Sequence, residues 1–169
     1  LQSIRLLRDH PFFKVTFLGG DRSAGKRWNE LCPFLPLDQE ACIEKPEPDQ
    51  IASSADYALL SLPNGLASQL VPQLLDRNVR VLDLSADYRY RNLDQWKQIY
   101  VKESDSINRQ DFDLCSEAVY GLSEWNAHKI SQARIVSCPG CFPTASLLPL
   151  LPFLKQGLIE TDGLIIDAK

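Results

Sequence analysis

Apolar residues in this chain fall into short runs, separated by polar stretches rich in glycine or proline. In "LQSIRLLRDHP", Ile4 and Leu7, with Leu6 beside them, form one helical stripe that Pro11 stops. "KVTFLGG" (14–20) is β-branched and aromatic and ends in glycine, which predicts a short strand. Residues 21–50 carry prolines throughout and show no period, so they read as loop with at most one irregular strand. "ADYALLSLP" (55–63) is nearly continuous in apolar character, the pattern of a strand buried on both faces. "NGLASQLVPQLLDRN" (64–78) spaces Leu66, Leu70 and Leu74 four apart; this predicts a helix that Pro72 bends or delays. "VRVLDLS" (79–85) reads as a buried strand, "LDQWKQIY" (93–100) as a short helix, and "RIVSC" (134–138) as a strand. "EWNAHKISQA" (124–133) reads as a helix capped near Ser123. "FPTASLLPLLPFLKQG" (142–157) is helical, with Pro143 in the first turn and Gly157 as its stop; Pro149 and Pro152 should kink or split it. "GLIIDAK" (163–169) predicts the last strand.

Strands thus alternate with helices, and the expected fold is α/β: a Rossmann-type, doubly wound parallel sheet with helices on both faces. In such sheets ligands bind at the carboxyl ends of the strands. Four polar clusters fall there: "GGDRSAGK", "LPNG", "DLSADYR" and "SCPGC". Their shared position says more than any one of them.

Composition narrows the classes. Hydrophobic content of 44% over 169 residues is enough for a real core. A net charge of -4 and a pI near 5.2 lack the basic footprint of a nucleic-acid binder, so no nucleic-acid partner is expected. The apolar runs are too short to span a bilayer, so no membrane partner is expected either. "LQSIRLLRDH" is charged and amphipathic, unlike a signal peptide. Five cysteines without regular spacing argue for reduced thiols in a cytoplasmic setting, or a plastid one were the source a plant. The chain starts at Leu1, lacks methionine and ends in an apolar run, so further chain is expected at both ends.

The pair Cys138 and Cys141 admits several readings. Zinc needs about four ligands; the other thiols lie in unlike contexts, and the two histidines, His10 and His128, both fall on predicted helices, so no metal is expected. A C-x-x-C opening a helix also suits dithiol redox chemistry, though most of a sheet precedes it here. The third reading makes Cys141 a single nucleophile at a helix start, where free N–H groups stabilise thiolate and an oxyanion. Gly140 then lets substrate approach the backbone. The fourth is a plain buried thiol.

"DLSADYR", "YGLSEWN", "RIVSCPGCFPT" and "GLIIDAK", in that order, closely resemble the N-acetyl-γ-glutamyl-phosphate reductase family of arginine biosynthesis. The resemblance is collinear over nearly the whole chain, and "PGCFPT" is its most specific part. It implies NADPH-dependent reduction of N-acetyl-L-glutamyl 5-phosphate, a small-molecule substrate, to the semialdehyde with release of phosphate. By this resemblance Cys141 attacks the acyl phosphate and forms a thioester, which hydride then reduces. Arg22, Ser23 and Lys26 would meet a 2′-phosphate, selecting NADP(H), unless they are a solvated basic loop. Pro63, Asn64 and Gly65 would lie at the cofactor, unless they only cap a helix. Ser85, Asp87 and Arg89 would lie at the mouth of the site beside Gly140. There Arg89 would meet a substrate carboxylate or phosphate, or pair with Asp87. Glu124 would serve the site or cap its helix.

The resemblance also places a Gly-rich turn before Leu1 and a general acid/base histidine after Lys169. The 169-residue chain by itself is therefore expected to show no NADPH-dependent reduction. Residues 1–138 would form the NADP-binding domain and 139–169 the start of a catalytic and dimerisation domain, in a homo-oligomer (dimer or tetramer). Cys138 stands where the family often has Asn. The rivals are reduction of aminoadipyl or aspartyl phosphate, and a non-catalytic nucleotide-binding paralogue using Cys138 and Cys141 as a redox pair.

Overall fold

A computed structural model describes residues 1–37, 41–102, 107, 109 and 111–168. Its centre is a four-stranded parallel sheet: β1 (Tyr57–Leu60), β2 (Arg80–Asp83), β3 (Val119–Tyr120) and β4 (Ile135–Ser137), in the order β1-β2-β4-β3. Val81 pairs with Ile135 and Asp83 with Ser137, so the ends of β2 and β4 lie level. The helices are α1 (Gln2–Leu7), α2 (Trp28–Leu31), α3 (Pro48–Ser54), α4 (Ala67–Asp76), α5 (Leu93–Tyr100), α6 (Phe112–Glu117), α7 (Ser123–Gln132) and α8 (Cys141–Lys155). Strands and helices alternate across the sheet, as the periodicity predicts.

The main core gathers Val71, Leu74, Val81, Trp96 and Ile135. Helix α4 faces it with Ala67, Val71, Leu74 and Leu75; of the Leu66–Leu70–Leu74 row, Leu74 is buried, Leu70 packs against the core partly buried, and Leu66 is exposed. Pro72 stays inside this one helix. Full burial of Val71 and Leu74, roughly 1.5–3 kcal/mol each, offsets the cost of the missing N–H. Asn78 then takes a left-handed φ of 61°, and Val79 donates back to the Leu74 carbonyl, which turns the chain into β2.

Four expectations need correction. The 14–20 run is no strand: Gly19 makes a single bridge with Glu44, and no ladder forms. The reading of 21–50 as loop misses α2 and α3, while residues 38–40 lie outside the described residues. β1 is buried on one face only: Ala58 and Leu60 turn to the core, while Tyr57 and Leu59 on the other face are 44% and 41% exposed. Residues 163–168 form no strand, since no neighbouring edge pairs with them, and Ile165 is 93% exposed; Lys169 lies outside the described residues.

The later helices differ less. α7 begins at Ser123, but the Ser123 hydroxyl makes no capping bond; Asn126 breaks the helical backbone and its amide donates to the Tyr120 carbonyl. α8 runs unsplit through Pro149 and Pro152 and ends where expected. Gly157 has φ 66°, and Gly157 and Leu158 donate to the Leu154 and Phe153 carbonyls.

Candidate active site

Three strand-end loops meet through the segment 83–89. Asp83 ends β2 fully buried and accepts from both the N–H (2.9 Å) and the hydroxyl (2.9 Å) of Ser85. Burial pushes its carboxyl above the ordinary carboxylate range, against the lowering effect of those bonds. The Ser85 hydroxyl in turn accepts from the Asp87 N–H. Asp87 is fully buried, and its two oxygens accept from Gly65 N–H (2.8 Å) and Ser68 N–H (3.0 Å) at the start of α4. Ser85 and Asp87 therefore do not stand at an open mouth; their polar atoms are used inside the protein.

Behind them lies Arg109, which sequence reasoning missed. It donates to the Asp87 carbonyl, binds both oxygens of Asp111, and stacks 4.4 Å from Trp96. An arginine in a polar loop carries no period that would announce burial.

Arg89 does not pair with Asp87. Its Nε donates to the Cys138 carbonyl (3.1 Å), one terminal nitrogen to the Leu84 carbonyl (3.1 Å), and the other approaches the Tyr100 hydroxyl (3.5 Å). A Cβ on Gly140 would sit 3.6 Å from that guanidinium. The guanidinium thus underlies the turn that carries Cys138 and Gly140. Tyr120, whose phenol burial raises while Arg89 opposes the shift, belongs to the same neighbourhood.

The two thiols are unequal. Cys141 is exposed at the first position of α8. No side chain caps this helix, and the N–H groups of Gly140, Cys141 and Phe142 have no acceptor among the described residues. Pro143 supplies no N–H, and Thr144 closes the turn by donating from backbone and hydroxyl to the Gly140 carbonyl. Cys138 is partly buried, and burial together with nearby Asp83 raises its thiol. Ser137, just before it, is fully buried with a hydroxyl that lacks any partner among the described residues.

The cofactor candidates separate. Gly65 has φ 84°, and its N–H is held by Asp87, so the 63–65 turn is braced and α4 keeps few donors for an anion. Arg22 and Lys26 are exposed, and neither makes an ion pair among the described residues. Their turn is tied to the strand-like segment beside it, Gly25 donating to Ile43 and Ile43 to Lys26. Two exposed cations and Ser23 on one short turn are a donor set that fits a phosphate. Glu124 lies in the first turn of α7. Among the described residues no cluster of His, Cys, Asp or Glu is arranged to hold a metal, and no helix is long and apolar enough to cross a membrane.

A parallel α/β sheet flanked by helices, with an uncapped helix and an exposed thiol at its carboxyl edge, defines a Rossmann-type fold. The profile of the "Semialdehyde dehydrogenase, NAD binding domain" family matches residues 1–133, and the chain belongs to that family. It is 69% identical over 169 residues to "N-acetyl-gamma-glutamyl-phosphate reductase" of Prochlorococcus marinus (strain MIT 9313), covering all of this chain and 47% of that protein. The protein of the same name from Synechococcus sp. (strain CC9605) is 66% identical over the same span, again 47% of its length. The chain thus spans about half the length of the curated relatives it matches.

Among solved structures, aspartate semialdehyde dehydrogenase II complexed with ASA from Vibrio cholerae superposes with a TM-score of 0.60 at 18% identity, over 90% of this chain and 41% of that one. Aspartate semialdehyde dehydrogenase with NADP from Candida albicans gives 0.57 at 18%, over 90% and 42%. These two likenesses show the fold.

Proposed function

We propose that the complete protein reduces N-acetyl-L-glutamyl 5-phosphate to N-acetyl-L-glutamate 5-semialdehyde with NADPH. The observation that carries this is the open start of α8: an exposed Cys141 with three unengaged N–H groups around it. The sulfur attacks the acyl carbon, the bond to the phosphate oxygen breaks, and phosphate leaves as the thioester forms. The free N–H groups stabilise the oxyanion during that attack and lose nothing to a competing cap. Bound NADPH supplies the hydride that converts the thioester to aldehyde and returns the thiolate. Relatives 69% and 66% identical carry the name of this reaction, which supports the substrate assignment.

Within this reading Arg22, Ser23 and Lys26 hold the 2′-phosphate of the cofactor, and Pro63, Asn64 and Gly65 form a turn against it. Gly140 and Arg89 border the place where the acyl group meets Cys141, while Ser85 and Asp87 brace the loop from inside. Residues 1–138 serve the cofactor, and 139–169 begin the catalytic and dimerisation part. The protein works as a homo-oligomer in the cytoplasm.

The test is mass spectrometry of the complete protein, quenched after mixing with N-acetylglutamyl phosphate without NADPH. An acyl adduct on Cys141 is expected. No adduct, together with loss of two hydrogens across Cys138 and Cys141 under mild oxidant, would favour the redox paralogue. An adduct formed faster from aspartyl or aminoadipyl phosphate would move the substrate assignment.

A further inference from the structure

We infer that Arg89 is a positioning residue for the nucleophile, acting through the Cys138 carbonyl. The inference rests on the reading of Cys141 as the attacking thiol. The β2–β4 ladder ends with Cys138 N–H donating to the Asp83 carbonyl at 2.8 Å. Beyond that point, among the described residues, the Arg89 guanidinium is what bonds to both segments. Nε holds the Cys138 carbonyl and a terminal nitrogen holds the Leu84 carbonyl, each at 3.1 Å.

The tie is charge-assisted and planar, so it fixes direction as well as distance. It acts one residue before Pro139 and two before Gly140, the residue that precedes α8 and leaves its N–H groups open. The residue facing the guanidinium is Gly140, where a Cβ would stand 3.6 Å from it. Arg89 makes no ion pair with a carboxylate among the described residues. Its bonds go to the ends of two strands and, at 3.5 Å, to the Tyr100 hydroxyl on α5. This arrangement anchors a turn.

A lysine keeps the charge but presents a single ammonium in place of the fork. In the complete protein, Arg89→Lys is expected to lower kcat by about 10- to 100-fold with KM unchanged, since misplacing the thiol costs the chemical step. The rate at which an acyl adduct forms on Cys141 in a quench without NADPH, read by peptide mass spectrometry, is expected to fall by the same factor. Arg89→Gln, which keeps a planar donor of moderate length, is measured in the same way and stands in if the lysine variant does not fold. Wild-type kcat and wild-type adduct rate in the folded variant would overturn the proposal. So would a raised KM with kcat retained, because that is the signature of direct substrate contact. Failure of the nucleophile reading itself shows separately, as a wild-type protein that forms no acyl adduct on Cys141.

Discussion

Helix α4 follows β1 and helix α8 follows β4, and each starts after a turn bearing proline and glycine; the first turn of one is filled and that of the other is open. At α4, Asp87 reaches in from the next strand's loop and takes the N–H groups of Gly65 and Ser68. At α8, no side chain caps the helix, and a thiol occupies its first position. One sheet edge therefore holds a filled helix start and an open one. What separates them is a single buried carboxylate placed over the first.

Five changes would break or sharpen that contrast, the largest first. Cys141→Ala in the complete protein removes the proposed nucleophile, and turnover should fall by at least about 10³-fold while the melting temperature holds. Asp87→Ala leaves two donors at α4 without an acceptor. Urea unfolding should show a loss of ~3 kcal/mol; a loss under 1 would mean that water replaces the carboxylate. Gly65→Ala meets a φ of 84° and places a Cβ 2.9 Å from Ile107, so about 2 kcal/mol should go in the same assay.

Asp83→Asn tests the loop by pH. Burial raises the folded-state pKa of Asp83 above its ordinary 3.8. A raised carboxyl pKa contributes stability below the unfolded value and loses it as pH climbs through the folded one. The asparagine lacks that loss, so the variant should gain on the wild type from pH 4 upward; a gap that is flat with pH would refute the buried charge. Thr144→Val, at the open helix, removes one hydroxyl bond to the Gly140 carbonyl and should cost only about 1 kcal/mol or less in unfolding.

The sequence carried the alternation of strands and helices because each element of the sheet has a local period. The helix 93–100 was read at its observed bounds; in the structure Leu93 and Trp96 are its buried residues, and the Asn92 side chain caps it twice. The sequence placed Cys141 at a helix start because a helix following a strand is a local pattern. The loops were less legible. "DLSADYR" looked like a row of ligands, but polar residues satisfy one another as readily as they meet a substrate. Only three-dimensional pairing reveals that Asp87 serves Gly65, 22 residues away. The apolar run 163–168 misled for the opposite reason. Strand propensity needs a neighbouring edge to become a strand, and Leu164, Ile165 and Ile166 find none.

Trp96 gives the molecule an optical handle. Its indole N–H binds the Ala86 carbonyl at 2.9 Å, inside the segment that carries both Asp87 and Arg89, and its ring lies fully buried under the Arg109 guanidinium. Trp125, by contrast, is 42% exposed. The blue edge of the emission spectrum thus belongs to residues shielded from water, Trp96 among them, and the red edge to Trp125. With Trp28, the other buried tryptophan, replaced by phenylalanine, a shift confined to the blue edge would register a rearrangement around Ala86 without any label attached.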